Sequence, residues 1–178
     1  MAVNSRKKGH TFERAIAKLM NDKYHIKKDK DKWKRVPLSG GFDKENFPGD
    51  IYTMSPELNQ PGKIASRFSI ECKFHKDWKL EDIIHGKGKI LDWWKQASDD
   101  ATGAGKLPLL VFKKNQSPIY FIASPESICR YLREGNLLSC VIIRDPKQQL
   151  MTMGLFEEML NLIFMHDKGI PADSWGQL

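Results

Sequence analysis

The stretch Phe68-Ser69-Ile70-Glu71-Cys72-Lys73-Phe74 constrains this chain more than any other. With period two, Phe68, Ile70, Cys72 and Phe74 fall on one face, and Ser69, Glu71 and Lys73 on the other. The apolar face suits a core, and the pattern predicts a strand over 67–75. Glu71 and Lys73 then point the same way from a rigid element. A solvated strand face commonly carries such a pair, so the pair alone decides nothing. Upstream stands Asp50, in Phe47-Pro48-Gly49-Asp50-Ile51-Tyr52. A Pro-Gly turn feeding an acid into a short strand over 50–54, then a strand bearing Glu-x-Lys, suits metal-dependent phosphodiester cleavage. Pairing of the two strands as a hairpin would set Asp50 across the ladder from Glu71.

The 178 residues are enough for one domain with a real core. An apolar content of 40% and an aromatic content of 10% argue against disorder. No apolar run approaches a bilayer span, and no apolar segment of the signal-peptide kind follows the basic start. Three cysteines without paired spacing fit a reducing cytoplasm, the cell's own or a viral host's, and argue against a disulfide framework or a zinc site. The net charge of +7 is unevenly placed. Residues 1–35 hold 12 Lys/Arg against 4 Asp/Glu, and the rest of the chain holds 17 against 18. A one-sided basic region is the footprint of a polyanion binder, although a basic solvated face has the same composition.

Along the chain, 6–24 reads as a helix with the stripe Phe12, Ile16, Leu19 and Met20. Glu13 lies at the margin of that stripe, either as a solvated flank or held at the core edge and aimed at a site. Lys7, Lys8, Arg14 and Lys18 line the outer faces. The charged run 27–34 contains Trp33, which either stacks on a nucleotide or anchors the run to the core. Ser39-Gly40-Gly41 can bring backbone N–H groups and a hydroxyl to a phosphate, or can be a plain turn. Asp43 and Glu45 fall in a loop and are decoys. Asp77 is a candidate cap for a short helix ending at His85. A longer helix over 90–101 carries Ile90, Trp93, Trp94, Ala97 and Ala101, with Gln96 off the stripe. Strands follow over 107–113 and 119–123. Ser124-Pro125-Glu126 opens another helix. A strand over 138–144, a partner over 150–153, an apolar helix over 155–165 and a loose tail complete the chain. The expected class is α/β, a mixed central sheet flanked by helices. The expected division is a core over 1–123 with a C-terminal α/β extension, 124–178, packed on it.

If phosphodiester hydrolysis is the chemistry, carboxylates hold a divalent ion through oxygen. Asp50 and Glu71 would be the direct ligands, and Glu13 would contribute directly or through water. Lys73 would position the attacking water and offset the clustered acids.

The ordered set Gly9…Glu13, Arg35…Ser39-Gly40, Pro48-Gly49-Asp50-Ile51, Ile70-Glu71-Cys72-Lys73, Gln96 and Lys106-x-Pro108 resembles the PD-(D/E)xK nuclease superfamily. Within it, the set is most similar to the archaeal-type Holliday junction resolvases, including virus-borne forms. The resemblance spans roughly residues 4–122. It implies a restriction-endonuclease-like core. It also implies a homodimer that binds branched DNA and resolves four-way junctions by paired nicks with Mg²⁺, for which Mn²⁺ can substitute. By position it places catalytic roles on Glu13, Asp50, Glu71 and Lys73, with Ser39 as the loop serine. Basic DNA contacts fall on Arg6, Lys7 and Lys8 and on Arg35; Arg14 and Lys106 are further candidates, with Gln96 as support for the site. The chain departs from the pattern in its long stretch from Ser39 to Asp50, in the Gly between Pro48 and Asp50, and after Ala123. Two alternatives stand beside this reading: a restriction-like or repair nuclease of the same fold, and a non-catalytic DNA-binding module.

Overall fold

The computed structural model describes residues 5–37, 47–54, 67–129, 139–144 and 149–168. Its elements, in order, are α1 (Ser5–Lys23), a 3₁₀ turn (Asp29–Asp31), β1 (Trp33–Arg35), β2 (Ile51–Thr53) and β3 (Phe68–Phe74). Then come α2 (Glu81–Ile84), α3 (Lys89–Gly103), β4 (Leu107–Lys113), β5 (Tyr120–Ala123) and α4 (Pro125–Cys129). β6 (Cys140–Arg144), β7 (Leu150–Leu155) and α5 (Phe156–Asp167) follow. Ser39, Asp43, Glu45 and the C-terminal tail lie outside the described residues.

The period-two run is a strand, as its alternation predicts. Phe68, Ile70 and Cys72 enter one core with Leu109, Val111, Phe121 and the stripe of α1. The opposite face of the sheet, with Leu110, Phe112 and Ile122, packs against Ile90, Trp94 and Ala97 of α3 and against Trp78. Helices therefore cover both faces of a five-stranded mixed sheet of order β3-β4-β5-β7-β6. Burying side chains such as Phe112, Phe121 and Ile70 stabilises the fold by about 1.5–3 kcal/mol each. β3 and β4 pair in parallel, joined by the crossover through α3, and the other pairs are antiparallel. β7 lies between β5 and β6, and Phe156, Met159 and Ile163 of α5 join the core beneath α1.

The expected hairpin between the strands of Asp50 and Glu71 does not form. β2 pairs antiparallel with β1, Trp33 to Thr53 and Arg35 to Ile51. The segment bridges to β3 just before β2, through a parallel pairing of Gly49 with Ile70. Two acids can be brought together by either geometry, and the short strand satisfied its backbone groups on β1 instead. The helix expected to start at Asp77 is confined to Glu81–Ile84. Trp78 turns into the core at 4% exposure, which holds the preceding residues out of helix.

Candidate active site

Gly49 sets the entry. Its φ is +86°, and a Cβ there would stand 2.5 Å from the Ile70 carbonyl oxygen and 2.8 Å from the Ile70 nitrogen. Only glycine combines that φ with so close a backbone approach. The inserted glycine is thus what allows Pro48 to be followed by an acid lying flush against β3. The Asp50 N–H donates to the Ile70 carbonyl at 2.7 Å, and its own carbonyl accepts from Val36 N–H at 2.8 Å. The backbone of Asp50 is fixed on both sides. Its side chain takes the next place along β3, where Oδ2 accepts from the Cys72 N–H at 2.8 Å.

Glu71 is 7% exposed on β3, beside Asp50 at 8%. The Lys73 ammonium lies 2.6 Å from Glu71 Oε1. Gln96, projecting from α3, closes the triangle. Its amide donates to Glu71 Oε1 at 3.3 Å, and its oxygen accepts from Lys73 at 3.1 Å. Burial pushes the Glu71 carboxyl up to about 7, and the Asp50 charge adds to the rise, against the pull of Lys73. Asp100, one helical turn beyond Gln96, contributes in the same direction.

Glu13 is 6% exposed, so of its two sequence readings the buried one holds. It forms an ion pair with Arg35 of β1. Burial raises its pKa, opposed by Arg35, while the Glu71 charge raises it further. The three sequence-predicted acids thus reach one region from α1, the approach to β2, and β3. Among the described residues, no three His, Cys, Asp or Glu side chains form a group able to hold a metal ion. Glu13 faces Arg35, and the acids acting on one another most directly are Asp50 and Glu71. Two neighbouring buried carboxylates, one driven toward its protonated form by burial and then by the charge of the other, are a donor set that fits a hard divalent cation.

Lys7 and Arg14 are exposed on α1, and the Lys8 ammonium lies 5.7 Å from the centre of the Phe74 ring. Arg6 is in the first turn of α1. Lys106 is half-buried just before β4, and burial lowers its pKa. Trp33, at 2% exposure, anchors β1 in the core and presents no stacking face. Two features escaped sequence reasoning. Asp100 could have been found by its helical spacing from Gln96. The bidentate clamp of the Asn21 amide on the backbone of Trp33, at 3.0 and 2.8 Å, carries no sequence signal.

A family model described as "Phage putative PDDEXK endonuclease" matches residues 4–164. No curated protein and no solved structure matches the chain. No helix among the described residues is long and apolar enough to cross a membrane.

Proposed function

The chain belongs to the phage PDDEXK endonuclease family, and from that premise we propose that it is a divalent-metal-dependent endonuclease that resolves four-way DNA junctions. The observation that carries the hydrolytic reading is the set of Asp50, Glu71, Lys73 and Gln96, linked across β3 and α3.

Asp50 and Glu71 would hold the metal through their oxygens, and Glu13, engaged by Arg35, would contribute through water. Bound Mg²⁺, or Mn²⁺ in its place, supplies charge neutralisation at the phosphate and an acidified water. Lys73 holds its ammonium over the Glu71 carboxylate, offsets the acidic cluster and orients the attacking water. Gln96 fixes the spacing of Glu71 and Lys73 from a separate element. Arg35 meets the phosphate from the β1 side, and the resemblance adds Ser39, outside the described residues, as the loop serine.

Junction selectivity rests on the order of motifs from Gly9 to Pro108. Resolution of a junction requires two symmetric nicks, and a homodimer with two sites about one axis meets that need. The test is a panel of four-way junction, linear duplex, flap and single strand, with Mg²⁺ and with EDTA. Paired nicks in the junction, dependent on Mg²⁺, are expected. Equal cutting of linear duplex would reject junction selectivity and leave a restriction-like or repair nuclease. No metal-stimulated cutting of any substrate would reject the nuclease itself.

A further inference from the structure

The outer face of α1 and the segment 27–35 enclose an open groove of about 880 Å³. Its lining includes six cations, Arg14, Lys18, Lys27, Lys32, Lys34 and Arg35, against one acid, Asp22. The cations form two rows. Arg14 and Lys18 stand one turn apart on α1, and Lys32 and Lys34 alternate along the approach to β1 and β1 itself. Rows on two walls suit a linear polyanion better than a compact one.

The groove is built. Asn21, on α1, clamps both backbone groups of Trp33 and fixes the distance between the walls. The acids near it are exposed and already pair with its lysines: Asp22 with Lys18, and Asp29 with Lys34 at 2.8 Å and Lys32 at 3.6 Å. Exposed pairs of this kind contribute little and give way readily to another anion. The groove is also continuous with the acidic cluster, because Arg35 both lines it and pairs with Glu13.

We propose that this groove carries the phosphodiester backbone of a DNA strand onward from the bond that is cut. The proposal deepens the nuclease reading and rests on it, yet it adds Lys18, Lys27, Lys32 and Lys34 as contacts on a defined track. It makes affinity depend on the length of DNA beyond the cleavage point, through charge and not through base identity.

The experiment compares the native chain with Lys18→Gln/Lys27→Gln/Lys32→Gln, and with Lys95→Gln on the outer face of α3 as control. Binding of a short and a long fluorescent duplex is measured in EDTA across a salt series, with thermal melting to establish that each variant is folded. For the long duplex, the triple variant is expected to bind on the order of tenfold more weakly, with a salt slope smaller by about 2 to 3. The short duplex and the Lys95→Gln control should be unaffected. Unchanged long-duplex affinity and slope would overturn the proposal. Equal weakening on both lengths would also overturn it, since the lysines would then act at the scissile phosphate. Because EDTA prevents metal-dependent cleavage, the result is independent of the junction panel. A native chain that cuts nothing would sink the nuclease reading while the length dependence still reports on the groove.

Discussion

The Asp50 carboxylate accepts its hydrogen bond from the Cys72 backbone N–H, the amide that immediately follows Glu71. One acid is thus positioned by the main chain of the strand that carries the other. Asparagine at 50 keeps an oxygen for that N–H and loses the charge. Asp50→Asn should therefore stay folded, while Mg²⁺-dependent cleavage falls by at least on the order of a hundredfold. DNA binding should hold or strengthen as a repelling charge is removed. Asp50→Ala instead leaves the Cys72 N–H unpaired and should cost about 1–3 kcal/mol, read by urea unfolding. Normal cleavage by Asp50→Asn would remove Asp50 from the site.

Glu71 makes the metal-free fold sensitive to pH. An unfolded glutamate releases its proton near 4.5, whereas the folded one holds it to about 7. Between those values the folded state binds more protons, so its stability falls as pH rises and reaches a floor above about 7. Melting in EDTA from pH 5 to 8 should show this decline, and Mg²⁺ should reverse it at pH 8. Glu71→Gln should flatten the decline and melt no lower than the native chain at pH 8, with Mg²⁺-dependent cleavage expected to be lost. A Glu71→Gln variant with the native pH slope would refute this origin.

Gly49→Ala tests the glycine between Pro48 and Asp50. The added methyl meets the Ile70 backbone at 2.5 Å in a conformation that alanine resists. The expected cost is about 1–3 kcal/mol in unfolding free energy, together with loss of cleavage as Asp50 shifts from β3. A stable, active Gly49→Ala would show that the close approach is dispensable.

The strand Phe68–Phe74 was legible because its apolar and polar residues alternate, which left Glu71 and Lys73 on one face; that this polar face is itself largely buried was not legible. The contribution of Asp50 was legible as chemistry but not as topology. The sequence shows that an acid precedes a short strand; it does not show which neighbour completes that strand's hydrogen bonds. Glu13 remained ambiguous for a related reason. An acid at the edge of a helical stripe is buried only if a cation reaches it, and Arg35 arrives from a strand 22 residues later. Trp33 was left between stacking on a nucleotide and anchoring to the core because charge density reports on side-chain solvation around it, not on where one indole points; the structure buries it.

The parallel pairing of β3 with β4 has a consequence in time. β3 is seated on one side by a strand that follows a complete crossover helix, and on the other by the Gly49 bridge. Gln96 comes from that same helix, and Glu13 from the first one. No contiguous fragment ending before residue 113 contains the whole arrangement. A chain still being synthesised, or one partly melted, holds the acids but not their spacing. The spacing of the acids therefore arrives with tertiary structure and not with synthesis of the residues that carry them.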